Sequence, residues 1–157
     1  MGLFDLSHKP TGWQRRLLNA PTYVYRAHLG AVFGHRFLMI EHRGRKSGEG
    51  RRTVVEVAGR IGDDWICSSG TGPHADWYLN LQANGLEAVW IGSRRHHATV
   101  RFLPDDEAAT VMADYERKHP KTAARLYVAM GVSYDGTHED LVRMMTSIPM
   151  VAFTLTD

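Results

Sequence analysis

The chain has 157 residues, of which 43% are hydrophobic and 23% are charged, and its formal net charge is +2. This length and composition predict a single domain with an adequate core, and so small a positive charge does not indicate a nucleic acid partner. Cys67 is the only cysteine, which excludes an internal disulfide, and no run of about 20 apolar residues predicts a membrane span. We therefore predict a cytoplasmic protein.

The N-terminal segment predicts a helix in two parts. After an irregular start over residues 1–12, apolar residues recur at helical spacing from Trp13 to Leu29, with a break at Pro21. The simpler interpretation is a surface helix that packs on the domain. The alternative is a helix that contacts a membrane surface or a partner, so peripheral membrane association through residues 13–29 stays open.

Short strands dominate the rest of the chain. β-Branched and apolar runs between glycine-rich turns predict strands at Phe37–Glu41, Arg52–Ala58, Trp65–Ser68, Leu86–Ile91, His96–Leu103 and Met150–Leu155. Helical patterns predict helices at Asp76–Asn84, Pro104–Lys118, Thr122–Met130 and Glu139–Met145. Because tight turns join consecutive strands, the sheet should be antiparallel, and about six strands suggest a small barrel with flanking helices, an α+β fold.

The loop between the first two strands is the strongest local signal. Gly44-Arg45-Lys46-Ser47-Gly48 combines flexible glycines with two cations and a hydroxyl, and Arg51 returns to the same end of the hairpin. These residues suit a phosphate or carboxylate ligand. The alternative is a solvated basic turn. The spacing matches neither a P-loop nor a dinucleotide fingerprint.

A second glycine-rich loop precedes the helix at residues 76–84. Ser68, Ser69, Gly70, Thr71 and Gly72 bring hydroxyls to a helix start, where anions are favoured, although a plain connection is the alternative. No His, Cys and Asp cluster has metal-ligand spacing, so we assign no metal.

Taken together, these segments resemble the deazaflavin-dependent nitroreductase and quinone reductase family, actinobacterial enzymes with a split β-barrel of the FMN-binding type. The resemblance rests on two stretches, Gly34–Val57 (GHRFLMIEHRGRKSGEGRRTVVEV) and Ile66–Gly85 (ICSSGTGPHADWYLNLQANG), and it extends over about residues 34–120. One position departs from the pattern, because Ser69 stands where well-studied members have a lysine.

The resemblance implies coenzyme F420 as the cofactor, and FMN is the alternative that the residues alone do not exclude. It implies that the phosphate and acidic tail lie at the Gly44–Gly48 loop and that the ring lies near the backbone of Val54 and Val55. The implied cofactor contacts are Gly44, Arg45, Lys46, Ser47, Gly48, Arg51, Thr53, Val54, Val55, Ser68, Ser69, Gly70, Trp77, Asn80 and Asn84. Tyr134 is the candidate proton donor or substrate contact.

The predicted function is hydride transfer from the reduced deazaflavin to an electron-poor small molecule such as a quinone, an enone or a nitroaromatic. The alternative is a non-catalytic carrier of a flavin, a deazaflavin or a fatty acid on the same fold. We predict one domain over residues 1–157, with a helical extension at 1–30, a barrel core at 34–103, and helices and a final strand at 104–157. The chain should be a monomer or a homodimer.

Overall fold

Seven β-strands and four α-helices follow one another along residues 35–157, which are the residues that the computed structural model describes. The strands are β1 (Phe37–Arg43), β2 (Gly50–Ile61), β3 (Asp64–Ser68), β4 (Leu86–Ile91), β5 (Arg94–His96), β6 (Ala98–Phe102) and β7 (Met150–Leu155). The helices are α1 (Asp76–Asn84), α2 (Asp105–Lys118), α3 (Pro120–Met130) and α4 (His138–Met144). The helices at 76–84, 105–118 and 120–130 confirm the predicted ones to within two residues.

All strands belong to one antiparallel sheet with the order β5-β4-β1-β2-β3-β7-β6. Strand β6 at one edge of the sheet also contacts β4 near the other edge, so the sheet curls into a nearly closed barrel. The final strand, β7, lies between β3 and β6 and completes the barrel wall. The prediction of an α+β fold built on a small antiparallel barrel is confirmed.

The long strand β2 joins the two halves of this barrel. Its first part pairs with β1, with Thr53 opposite Ile40, and its last part pairs with β3 after a register shift between Val57 and Gly59. The missing side chain at Gly59 matters here, since a Cβ would lie 3.2 Å from Cγ1 of Val111 on α2. The shift therefore bends β2 and lets α2 approach its backbone closely.

Two apolar clusters follow from the alternation of side chains along the strands. One fills the barrel and includes Leu38, Ile40, Trp65 and Phe153. The other lies between the outer face of the barrel and helices α2, α3 and α4, where Ile66 and Ala152 point away from the barrel interior. The helices thus cover one side of the barrel, next to β2 and β3.

One predicted strand is divided in the structure. The segment His96–Leu103 was expected to be continuous, but it forms the end of β5 and all of β6, with His97 between them. The alternation of more and less exposed residues continues through this segment, but β5 pairs with β4 and β6 pairs with β7. Because these partners lie at opposite ends of the sheet order, the chain has to change direction at His97.

The predicted N-terminal helix at residues 13–29 lies outside the described residues. Among the helices of residues 35–157, none has the length and apolar character needed to cross a membrane.

Candidate functional site

The β1–β2 hairpin loop is closed by its own backbone. The Gly44 N–H donates to the Glu49 carbonyl (2.9 Å), and the Gly48 N–H donates to the Gly44 carbonyl (2.8 Å). A Cβ at Gly44 would lie 2.6 Å from the Ser47 hydroxyl oxygen, and Gly48 has a φ of 70°, which disfavours other residues. The two glycines therefore permit the tight loop that the sequence predicted.

The positively charged side chains of the loop differ in how freely they can bind an anionic ligand. Lys46 is exposed and has no ion-pair partner within the part of the chain that the structure describes. Arg51 is exposed, and its Nη2 lies 3.1 Å from the Glu49 carboxylate and 3.5 Å from the Ser47 hydroxyl. An exposed pair of this kind contributes little to stability, so an anionic ligand can compete for Arg51.

Arg45, in contrast, turns back onto helix α1. Its backbone N–H and its Nη1 both donate to Asn80 Oδ1 (3.0 Å each), and its guanidinium also donates to the Asp76 carboxylate (3.2 Å). The family resemblance implied that Arg45 and Asn80 contact the cofactor, and this stays a prediction. In the structure these two residues join the loop to α1, which fixes the position of the loop.

Behind Asn80 lies a histidine, His42, to which the sequence analysis assigned no role. His42 is 2% exposed, with Nδ1 3.3 Å from Asn80 Nδ2 and Nε2 3.0 Å from the Thr53 hydroxyl. Burial, together with the nearby charge of Arg51, lowers the pKa of His42 to about 4. The imidazole is therefore neutral at pH 7, and the only sequence signal for it was a polar residue at an inward position of β1.

The second glycine-rich loop divides its residues between two roles. Ser68 and Gly70 line a cavity described below. Ser69 is fully buried, its hydroxyl donates to the Gly72 carbonyl (2.6 Å), and its N–H donates to the Pro149 carbonyl (2.8 Å). The Ser69 side chain thus holds the loop together and faces inward, where the sequence analysis expected a cofactor contact.

A cavity of about 280 Å³ lies beside β2, where the lining comes from this strand, from helices α2 and α3 and from Trp77 of α1. This volume is near the lower end of the roughly 300–1,000 Å³ that is usual for ligand pockets. Most of the lining is apolar. The predicted residues at the cavity are Val54, Val55, Ser68, Gly70 and Trp77, and the further lining residues are Glu56, Ala58, Thr71, Met112, Tyr115 and Leu126.

Two groups in this lining can hold a proton, and the sequence analysis had singled out neither. Tyr115 of α2 is 8% exposed, and burial, followed by the charge of Glu56, raises the pKa of its phenol. Glu56 of β2 carries its carboxylate at the same cavity, 3.5 Å from Nη2 of the exposed Arg36. A protonated phenol and a carboxylate thus share a mostly apolar space.

The structure places Tyr134 elsewhere. It lies after α3, where its ring contacts that of Tyr127 edge-on at 5.4 Å, and burial and the nearby Glu116 carboxylate raise the pKa of its phenol. Among the described residues, Tyr134 does not belong to the lining of this cavity. Its predicted role in catalysis stays a prediction, and Tyr115 is the phenol that the fold brings to the cavity.

The loop and the cavity are neighbouring parts of one surface. Strand β2 carries Arg51 and Thr53 beside the loop and then Val54 and Glu56 at the cavity. Helix α1 repeats this arrangement, since Asp76 contacts the loop arginine and the next residue, Trp77, lines the cavity. Asn84, at the end of α1, donates from Nδ2 to the carbonyl of Arg43 (3.4 Å) and fastens the helix to β1.

These residues fit a ligand that is anionic at one end and aromatic at the other. Lys46 and Arg51 offer exposed positive charge, and the Gly44 position leaves no room for a side chain. The apolar cavity begins at Val54, three residues after Arg51 along β2. A phosphate-bearing deazaflavin has this character. In residues 35–157 we find no group of three or more His, Cys, Asp or Glu side chains that could hold a metal ion.

The fold and the site define a barrel-type oxidoreductase that binds an anionic, ring-bearing cofactor. The family model for F420H(2)-dependent quinone reductases matches residues 13–132, and the chain belongs to this family. Its cofactor is accordingly coenzyme F420. The predicted family, enzyme class and cofactor are confirmed.

Solved structures with a similar fold share little sequence with the chain. One is described as a domain-swapped dimer, at 18% identity over 85% of this chain and 99% of the other, with a TM-score of 0.51. Another is the F420-H2 dependent reductase FDR-A, at 19% identity over 76% and 95%, with a TM-score of 0.49. A pyridoxamine 5'-phosphate oxidase-related, FMN binding protein from Nostoc punctiforme PCC 73102 has 11% identity over 96% and 82%, with a TM-score of 0.44. No protein of curated function matches the chain significantly.

Proposed function

We propose that the chain reduces an electron-poor small molecule, such as a quinone, an enone or a nitroaromatic, at the cavity between β2, α2 and α3. The observation that carries the proposal is the position of this apolar cavity directly beside the basic β1–β2 loop. When bound, the reduced deazaflavin supplies a hydride, and the protein supplies position and electrostatics.

Each part of the site has a defined task in this proposal. Lys46, Arg51 and the Ser47 hydroxyl would hold the phosphate and the acidic tail. Val54 and Trp77 would pack against the ring and keep water away from it. Tyr115 would hold a proton at its phenol oxygen for the reduced acceptor, since its raised pKa keeps the phenol protonated at neutral pH.

The cofactor part of the proposal is tested by titrating the purified protein with F420 and, separately, with FMN. We expect Lys46→Ala and Arg51→Ala each to weaken F420 binding about tenfold, and the loss should shrink at high salt. Arg94→Ala is the matched control. It removes an exposed arginine from the β4–β5 hairpin, which meets β1 at the end opposite to the loop. An equal loss in Arg94→Ala would contradict the loop assignment.

The catalytic part is tested by steady-state kinetics with reduced F420 and a quinone, an enone and a nitroaromatic. Tyr115→Phe should lower kcat by about 100-fold with little change in KM, because it removes only the hydroxyl group that would hold the proton. Tyr134→Phe is the comparison, since Tyr134 was the donor predicted from the sequence. A loss in Tyr134→Phe without a loss in Tyr115→Phe would reverse the assignment.

Two further proposals concern the domain organisation and the oligomeric state of the chain. We propose that residues 1–157 form one domain, supported by the insertion of β7 between β3 and β6. Of the monomer and the homodimer, the homodimer is supported by the domain-swapped dimer described for one protein with a similar fold. Sedimentation equilibrium of the full chain tests it, and a single monomeric species would contradict it.

A further inference from the structure

Arg45 determines which way the side-chain amide of Asn80 faces. Two donors of Arg45, the backbone N–H and Nη1, converge on one oxygen of Asn80, at 3.0 Å each. An amide nitrogen at that place would set three donors against one another. The Asn80 oxygen therefore faces the loop, and its NH₂ group faces Nδ1 of His42 at 3.3 Å.

This orientation decides the tautomer of His42. Because Asn80 donates to Nδ1, that nitrogen has to be the acceptor, and the neutral imidazole carries its proton on Nε2. The Nε2–H then donates to the Thr53 hydroxyl oxygen at 3.0 Å. The hydroxyl has accepted one hydrogen bond, so its own hydrogen is left to donate, and within residues 35–157 no other hydrogen bond engages it.

We propose that Asn80 and His42 are positioning residues that hold the Thr53 hydroxyl as a hydrogen-bond donor to an anionic group on the β1–β2 loop. Thr53 lies on the same face of β2 as Arg51, about 7 Å away along the strand. Its hydroxyl and the Arg51 guanidinium can therefore serve the same phosphate. We call the hydrogen-bonded series Asn80–His42–Thr53 the relay. The identity of the ligand rests on the proposed function, whereas the relay rests on hydrogen-bond geometry alone.

The surroundings of His42 as a whole favour a neutral ring. Arg51 of β2 disfavours a proton on it, Glu87 of β4 and Asp76 of α1 favour one, and Arg45 lies beyond Asn80. Burial outweighs the two carboxylates. A protonated ring would also set its Nδ1–H against the Asn80 NH₂ group and break the relay.

The relay is tested first in the free protein by ¹⁵N NMR of the imidazole. We expect an unprotonated Nδ1 and a protonated Nε2 for His42 at every pH from about 5.5 to about 7.5, a range of roughly one unit either side of the ordinary histidine pKa. Asn80→Asp should replace the amide donor with an acceptor, so that His42 carries both protons near neutral pH. Asp76→Asn is the control, since it leaves both partners of His42 in place. The Nδ1–H tautomer in the wild type would overturn the proposal.

The ligand role is tested by binding of F420 to Thr53→Val and Thr53→Ser. Valine keeps the shape and the strand preference of threonine but has no hydroxyl, and we expect its affinity to fall about tenfold, whereas serine should retain the wild-type affinity. Unchanged affinity in Thr53→Val would overturn the proposal.

If the wild type bound no F420, the proposed function would fail, and inorganic phosphate would be the probe for the relay alone. Phosphate should then shift the backbone amide resonance of residue 53 in the wild type and leave it unshifted in Thr53→Val. If phosphate did not shift this resonance in the wild type, the proposal that the Thr53 hydroxyl contacts an anion would be overturned as well.

Discussion

Acidification from pH 7 to pH 5 should destabilise the folded protein by about 2 kcal/mol through His42 alone. The pKa of this imidazole is about 4 in the folded chain, against 6.5 as its ordinary value. As the pH falls, the unfolded chain therefore binds a proton before the folded chain does. The stabilisation is fully present above pH 6.5, declines as the pH falls towards 4, and amounts to about 3 kcal/mol in all.

The assay is urea unfolding of the wild type and of His42→Gln at several pH values between 5 and 7. The variant can lose stability at every pH, since it alters a buried network, but it should lack this part of the pH dependence. His97→Gln, which replaces the exposed histidine between β5 and β6, should keep it. Carboxylates with lowered pKa values, such as Glu41, contribute to the pH dependence of stability mainly below the pH range of this assay. Equal pH dependence in the wild type and His42→Gln would refute the reasoning.

Three further predictions concern packing, reactivity and specificity. Gly59→Ala should cost about 1–2 kcal/mol in urea unfolding, because its Cβ would lie 3.2 Å from Val111, whereas Gly50→Ala, with open space around it, should cost less. Cys67, which is fully buried and has a raised thiol pKa, should react with a thiol reagent only at the rate at which the protein opens, and fast labelling of the native protein would contradict this. Glu56→Gln should lower KM about tenfold for an anionic quinone and leave KM for a neutral quinone unchanged, because the carboxylate lines the cavity, and equal effects on both quinones would contradict this.

Glu41 illustrates a polar group whose environment the sequence did not reveal. It follows Ile40 on β1 and is buried on the outer face of the sheet, where it accepts hydrogen bonds from Arg52, Trp90 and Arg95. Burial alone would raise its pKa, but the hydrogen bonds from Arg95 and Trp90 and the charge of Arg52 hold the pKa below its usual value. Its partners come from three other strands, so no local pattern could identify them.

Local sequence patterns predicted most of the elements and the two loops, because turn glycines, alternating apolar residues and helix starts act over a few neighbouring residues. The division of His96–Leu103 into β5 and β6 was not predicted, because it depends on which strands pair. The helix Asp76–Asn84 and the strand Met150–Leu155 were predicted with their exact bounds. The hairpin loop was predicted for the same reason, since Gly44 and Gly48 reflect local backbone geometry.

The directions and contacts of the side chains on these elements depend on the tertiary structure. It turned Arg45 onto α1, buried Ser69, and brought Tyr115 to the cavity while leaving Tyr134 beside Tyr127. It also joined His42 to Asn80, which are 38 residues apart in the chain. Such contacts depend on which faces of β1, β2 and α1 meet when the barrel closes, and that choice is made by packing over the whole fold.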